Sequence, residues 1–378
     1  MTRKKRLLFL SWRDIHHPKK GGAELFTHEM LKRAVHAGYE IVHFSPMFDG
    51  AKEEERIDGV LYKREGSLTT VIHYARKYYR ANTFDFVVDQ CNTHRFLTKF
   101  WVPSNQRVFF IHQLTREIWF YNSKFPVNVI GYLLEPLLLK LNKNDLTMTV
   151  SNSTRENLLD LGFQRQKVKV LPEGLDFEPW SKEMFYEKEA SPTFVYVGRM
   201  VPYKGIDDAL KAFIEVKKNL PDAKLWIIGK PDMQYVQTVL GEISNQAHLT
   251  IGNANENKDV TLFGFVNEEE KLQYMSRAHA LLFPSLREGW GLTISEAAVV
   301  GTPSIVYNTY GVKDAVDNGK AGYLVPKKDI KALSQTMLSI IRNPHEYEIK
   351  RQQAYDFSKR LHWNHTGNEF INFMRELS

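Results

Sequence analysis

The chain has 378 residues, 43% apolar and 25% charged, a length that suggests two domains and a composition that excludes a disordered chain or a disulfide-stapled mini-protein. The formal net charge of +7 belongs to the first half: residues 1–180 hold 27 Lys and Arg against 20 Asp and Glu, whereas residues 181–378 hold 24 of each. That asymmetry points the first half toward something anionic, whether a membrane surface, a phosphorylated acceptor or nucleic acid. Cys91 is the only cysteine, so no intramolecular disulfide can form, and a buried thiol in a reducing compartment is expected.

The start, MTRKKRLLFLSWRD, is basic and then apolar as a signal peptide is, but the apolar run stops at Arg13 without a small-residue cleavage site. Leu7 to Ser11 therefore reads as the first core strand. Further β-rich runs follow at EIVHFS, FDFVVD, RVFFIH, LTMTVS and VKVLPEG. They are apolar on both alternations, which predicts parallel strands covered by helices on both faces.

Between these runs, TTVIHYARKYYRANTF at 69–84 predicts a helix mixing Arg76, Lys77 and Arg80 with Tyr74, Tyr78 and Tyr79. FLTKFWVP and REIWFYNSKF add Trp101 and Trp119 among basic residues. One reading is an interfacial surface that holds a lipid-linked acceptor at an anionic membrane; the other is an amphipathic helix with aromatics in the core and cations in water. No helix-turn-helix, zinc-finger or RNA-recognition signature accompanies the basic residues, so nucleic acid is not an expected partner. The most apolar stretch, VNVIGYLLEPLLLKL, is broken by Glu135 and Pro136 and is shorter than a bilayer span, so no segment is expected to cross a membrane.

Residues 176–192, DFEPWSKEMFYEKEASP, are charged, hold two prolines and lack a period. They form the predicted domain boundary. Beyond them the strand pattern repeats in TFVYVGR, AKLWIIG, VTLFGF, ALLFPS, PSIVYN and GYLVP. Two doubly wound α/β sheets are expected, with a ligand site in the cleft between them.

The second half carries the chemistry. VYVGRMVPYKG places Gly198, Arg199, Lys204 and Gly205 directly after a strand, where two cations from one loop could flank a diphosphate. Alone this is equally a strand-ending turn with solvated cations. It is neither a Walker A loop nor a G-x-G-x-x-G fingerprint. In ALLFPSLREGWGLTISEAAVVGTPSIVYN, a loop runs through Gly291 and LTISEAAVVG predicts a helix closed by Gly301. Glu288 then precedes the helix and Glu296 lies in its first turns. The backbone N–H groups of Gly291, Leu292 and Thr293 would form a positive helix end suited to phosphate, with Trp290 as an apolar wall.

These residues also carry a family resemblance. GRMVPYKG, LFGFV and EGWGLTISEA with its glutamate pair, together with GGAELF and TVSNSTRENLLDLGF…VKVLPEGLD in the first half, resemble the retaining nucleotide-sugar glycosyltransferases of family 4. The resemblance implies the GT-B fold, α/β with two Rossmann-like doubly wound domains. It places an acceptor-binding domain at 1–178, a donor-binding domain at 185–355, and a C-terminal helix at 356–378 crossing back to the first.

It further implies that Arg199 and Lys204 hold the donor diphosphate and that Glu296 accepts hydrogen bonds from the ribose. Glu288 would contact the transferred sugar, with Trp290, Gly291, Leu292 and Thr293 lining sugar and phosphate, and Phe265 and Val266 would border the base. Gly21 and Gly22 would form a loop closing over the donor. His112, with Glu288 the candidate catalytic pair, would sit at a strand end facing the sugar, where positioning the sugar hydroxyls or the acceptor fits equally well, although a strand-end histidine by itself reads as structural.

The implied activity is transfer of a hexose from a UDP- or GDP-sugar to a hydroxyl of a glycan, lipid-linked or small-molecule acceptor, with retention and with no settled enzymic nucleophile. No cofactor is expected beyond the nucleoside-diphosphate sugar. No Asp-x-Asp motif occurs in the chain, so no metal is expected and protein cations would take its place. The expected location is cytoplasmic, either free or peripheral on the inner face of a membrane. A nucleotide-sugar epimerase or sugar phosphorylase of the same fold, or an inactive sugar-nucleotide-binding protein, are the alternatives.

Overall fold

The computed structural model describes residues 3–92, 94–230, 233–235, 238, 240–243, 249–254, 256 and 258–377. The chain divides into two units, Met1–Gly174 with His362–Ser378, and Leu175–Leu361.

The first unit is built on an eight-stranded sheet of order β3-β4-β2-β1-β5-β6-β7-β8. Its strands are β1 (Arg6–Leu10), β2 (Glu40–Ser45), β3 (Glu54–Ile57), β4 (Val60–Arg64), β5 (Phe86–Cys91), β6 (Arg107–Ile111), β7 (Leu146–Thr149) and β8 (Val168–Val170). β1 is central, with Leu7 in register with Ile41 of β2 and Phe86 of β5. β1, β5 and β6 are almost wholly buried, as continuous apolar runs require when both faces are covered.

The hairpin β3–β4 has no counterpart among the strands read from sequence. β3 is EERI, a charged antiparallel edge strand, joined to β4 through Asp58 and Gly59, both at positive φ. An edge strand facing water carries charge rather than an apolar run, and the Asp-Gly turn was its one signal.

The second unit holds a seven-stranded parallel sheet of order β11-β12-β10-β9-β13-β14-β15. The strands are β9 (Thr193–Val197), β10 (Lys224–Ile228), β11 (Ile251–Asn253), β12 (Val260–Gly264), β13 (Ala280–Phe283), β14 (Ser304–Tyr307) and β15 (Tyr323–Val325). One face packs Phe194, Leu225 and Leu282 on Leu210 and Phe213 of the helix Ile206–Asn219. The other packs Val195, Trp226 and Leu281 against Met275, Ile294 and Ala297. Both sheets are the α/β architecture read from the sequence.

The domain limits differ from 178, 185 and 356. The Leu175 N–H donates to the Leu361 carbonyl, and both side chains join the second unit's core. The expected linker is packed there too: Phe177 and Trp180 lie against that core, and Tyr355 Oη donates to the Trp180 carbonyl at 2.7 Å. Large aromatics in the charged stretch gave it somewhere to bury. The helix Pro344–Ser358 belongs to the second unit. The final helix, Trp363–Glu376, packs in the first unit: Trp363 is buried against Phe26, and Arg33 donates to Asn364 at 3.0 Å.

Each unit contains a histidine that burial holds near neutral form. Burial lowers His43 from its ordinary 6.5 to about 4 despite nearby Asp14. Burial, with Lys188 adding repulsion, lowers His279 to about 4, and its Nδ1 accepts from the Thr193 N–H. Above pH 6.5 neither costs anything; as pH falls from 6.5 to 4 the unfolded chain binds protons that the folded chain refuses, so stability falls. We expect the urea midpoint to drop across that window by the equivalent of a few kcal/mol, on the order of 1.4 kcal/mol per pKa unit. His43→Phe should flatten the dependence, and an unchanged pH profile in that variant would count against the assignment.

Candidate functional site

In the second unit the chain runs from β9 outward to β10 and β12, then returns across the sheet to β13, so strand order reverses between β9 and β13. Open α/β sheets bind ligands at such a reversal, outside the carboxyl ends of the strands. The loops leaving β9 and β13 carry the two motifs singled out from the sequence.

The β9 loop is locked onto the β13 loop. Gly205 has φ +73°, and a Cβ there would lie 2.1 Å from the Pro284 carbonyl oxygen. The Leu286 N–H donates to the Tyr203 carbonyl at 2.9 Å. Only glycine permits this approach, and it brings Lys204 against the second motif. The Lys204 ammonium pairs with Glu288 Oε1, which also accepts from Ser285 Oγ at 2.6 Å. Both charged side chains are largely buried. Gly311, in the loop after β14, closes the third side: at φ +78°, its Cβ would sit 2.0 Å from the Glu288 carbonyl oxygen.

Arg199 is exposed, with its guanidinium donating to Tyr203 Oη at 2.8 Å, and Tyr196 Oη holds the Arg199 carbonyl at 3.0 Å. The helix Leu292–Val299 starts at Gly291, φ +108°. Its first N–H groups, those of Leu292 and Thr293 among them, have no acceptor within the helix and present positive charge there. This is the helix expected from LTISEAAVVG. Arg287, not singled out in the sequence, is buried with its guanidinium 4.8 Å from the Tyr310 ring centre. Its signal was its place inside LREGWG, where adjacent charges read as solvated.

Glu296 sits one turn into that helix and pairs with Lys271 at 2.7 Å. Lys271 comes from the helix Glu268–Arg277, and also pairs with Glu268. Burial pushes the Glu296 carboxyl up while Lys271 pulls against it. Burial works against the Lys271 charge, but Glu296 and Glu268 outweigh it and raise its pKa. Lys271 was missed because its partner lies 25 positions away on another helix. Phe265 follows β12 with 86% of its surface exposed, and Val266 is partly buried against the core.

Trp290, expected as an apolar wall, turns into the core. It is buried in the core cluster, with Nε1 donating to Ser295 Oγ at 3.0 Å. A large indole gains more from burial between sheet and helix than from lining a polar loop, provided its N–H finds an acceptor.

In the first unit, strand order reverses between β1 and β5. Gly21 caps the helix Gly22–His36, with its N–H donating to Glu24 Oε2 at 2.7 Å. The loop leading to it is pinned by Asp14, which accepts from the His16 N–H, from Ser45 Oγ and from Arg64 Nε at 2.5 Å. Asp14 and Arg64 side chains are wholly buried. His112 follows β6 and is buried among Phe26 and Phe110. Its Nε2 lies 3.1 Å from the Gln90 amide nitrogen, and its Nδ1 lies 3.5 Å from Glu173. An amide N–H can only donate, so Nε2 is the acceptor and Nδ1 carries the proton toward Glu173. Both ring nitrogens are thus engaged by the unit's own residues, which sequence reading did not indicate.

The helix Val71–Ala81 is amphipathic. Tyr74, Tyr78 and Tyr79 pack against the core, whereas Arg76, Lys77 and Arg80 are exposed. Cys91 is buried. Among the described residues, no group of three or more His, Cys, Asp and Glu is placed to hold a metal ion, and no helix is long and apolar enough to cross a membrane.

Residues 20–179 match the model for Glycosyltransferase Family 4, and residues 181–357 match the model for Glycosyl transferases group 1. The chain belongs to the glycosyltransferases that these two models together describe. Among curated relatives, glycogen synthase of Mycobacterium tuberculosis is 28% identical over 206 residues, covering 53% of this chain and 47% of that one. The chain spans about half the length of the curated relatives it matches. Two solved structures share the fold of this family member along nearly its whole length. Sucrose-phosphate synthase from Thermosynechococcus elongatus has a TM-score of 0.76 at 18% identity, covering 99% of each chain. Anabaena HepE, in complex with UDP and glucose, has a TM-score of 0.71 at 16% identity, covering 98% of this chain and 100% of that one. The two α/β units are thus those of GT-B glycosyltransferases.

Proposed function

We propose that the chain is a retaining, metal-independent hexosyltransferase that moves a sugar from a UDP- or GDP-sugar to a hydroxyl of a glycan, lipid-linked or small-molecule acceptor, in the cytoplasm. The observation that carries this is the meeting of Lys204, Glu288 and an open helix start at the strand-order reversal of the second sheet. The UDP and glucose seen with HepE support the donor class.

Cleavage of the sugar–phosphate bond builds negative charge on the leaving diphosphate. Fixed cations and helix N–H groups placed where that charge grows lower the barrier. In this reading the diphosphate exchanges with Glu288 on the Lys204 ammonium. The exchange leaves Lys204 and Arg199 on phosphate and frees the Glu288 carboxylate for the hydroxyls of the sugar. Glu296, steadied by Lys271, accepts from the ribose, and the exposed Phe265 ring lies beside the base. His112, with its ring nitrogens facing Gln90 and Glu173 and its carbonyl held by Thr154 Oγ1, acts as a positioning residue for the sugar hydroxyls or the acceptor. Neither glutamate is assigned as nucleophile, and protein cations take the place of a divalent ion.

Thermal-shift titration with UDP, GDP and their sugars tests the donor site, since a ligand at 100 times its Kd stabilises by about 2.7 kcal/mol. Glu296→Ala should lose most of that shift, whereas Glu288→Ala should keep it and slow transfer. Equal effects of both on nucleoside-diphosphate affinity would defeat this division. Isomerised sugar produced from donor alone would favour an epimerase instead.

A further inference from the structure

The helix Val127–Leu139 is built inside out. Val127, Ile130, Leu133, Leu134, Leu137 and Leu138 are all exposed, Leu133 and Leu137 by 62% and 61% of their surface. Spaced at i, i+3, i+6, i+7, i+10 and i+11, they form one unbroken aliphatic stripe along the helix. The helix's one charged side chain faces the protein instead: Glu135 accepts from the Thr115 N–H at 2.5 Å and the Arg116 N–H at 2.7 Å. Arg116 lies over the Tyr132 ring at 4.2 Å. An ordinary surface helix does the reverse, burying its apolar stripe and wetting its charges.

The surroundings say what this stripe meets. Phe120, Tyr121 and Phe125 are exposed just before the helix, Phe125 by 81% of its surface. Lys124 precedes the helix, Lys140 and Lys143 follow it, and all three are exposed. Thirteen residues rise about 20 Å, too short to cross a hydrocarbon core of roughly 30 Å. Aliphatic stripe, leading aromatics and flanking lysines match a helix lying in the plane of a lipid interface, with lysines reaching anionic headgroups. Pairing with a second copy is disfavoured by the same charges. An antiparallel two-fold contact would bring Lys124 of one copy beside Lys140 and Lys143 of the other.

We propose that the segment Phe120–Leu138 is a monotopic docking surface that seats the first unit on an anionic lipid bilayer. The surface does not use the basic helix Val71–Ala81, whose aromatics are committed to the core. Exposed apolar patches of this kind on an otherwise ordinary surface mark sites of association.

Flotation of the full chain with vesicles of phosphatidylcholine and phosphatidylglycerol tests it. We expect the protein to rise with these vesicles, less so with phosphatidylcholine alone or at high salt. The double substitution Leu133→Glu/Leu137→Glu should reduce the floated fraction at least about tenfold, by placing two charges in the apolar layer. Urea unfolding followed by circular dichroism reports whether the variant is folded, independently of lipid and of any ligand. If its midpoint differs from wild type, Leu133→Ser/Leu137→Ser replaces it and should show the same direction of effect. Absence of wild-type flotation at low salt, or equal flotation of a folded variant, would overturn the proposal. Concentration-dependent self-association removed by the same variant, without flotation, would overturn it in favour of a second copy.

Discussion

Lys204→Ala is expected to lower kcat/KM for sugar transfer by on the order of 10²–10³-fold, the cost typical of removing one preorganised partner of a developing negative charge. The substitution also strands Glu288, whose carboxylate now shares Oε1 between Lys204 and Ser285. Without its cation, that carboxylate would repel an incoming diphosphate, so nucleotide affinity should fall as well. Steady-state kinetics of the double variant Lys204→Ala/Glu288→Gln separates the two effects. Affinity should recover while the rate does not, because neutralising Glu288 removes the repulsion but restores no charge at the phosphate. A Lys204→Ala enzyme within about threefold of wild type would mean that the diphosphate is held elsewhere, since a lost transition-state contact is far larger.

Asp14→Ala should destabilise the first unit by about 3–5 kcal/mol, because it leaves the fully buried Arg64 guanidinium without its closest carboxylate. Arg64 retains Glu55 at 2.6 Å and the Lys52 carbonyl at 3.0 Å, which places the loss toward the lower end. Burial alone would raise the Asp14 carboxyl, but its Arg64 hydrogen bond and the neighbouring charges hold it below the ordinary 3.8. Its stabilisation is therefore fully present above pH 3.8 and is lost as pH falls through the lower folded value. Urea unfolding followed by circular dichroism at neutral pH gives the number directly. Asp14→Ala/Arg64→Met should recover part of the loss, since a buried pair replaced by apolar groups leaves no orphan charge. A single variant within about 1 kcal/mol of wild type would show that the pair is not what pins the loop between β1 and Gly21, as surface-like changes fall in that range.

The strands of both sheets were legible because parallel strands covered on both faces must be apolar on both alternations, and few other segments are. RLLFLS, FDFVVD, TFVYVGR and ALLFPS each became a central buried strand. The hairpin β3–β4 and the edge strand β11 were not legible, although the edge strands β8 and β15 were. β3 is charged because it borders water, and β11, IGN, carries a single apolar side chain.

The sequence by itself determined the two-sheet architecture and the motifs' positions at strand ends, because strand period, turn glycines and helix starts are local properties. Which charges meet was decided by tertiary structure alone. Lys204 reaches Glu288 across 84 positions and Lys271 reaches Glu296 across 25, through loops and helices whose packing no local pattern records. Trp290 and the helix Val127–Leu139 make the same point from opposite directions. A tryptophan between glycines reads as a site residue yet is buried, and an apolar stretch too short to span a bilayer presents its stripe to solvent. Hydrophobicity is a property of the residue, but what it is buried against depends on the neighbours that folding brings to it.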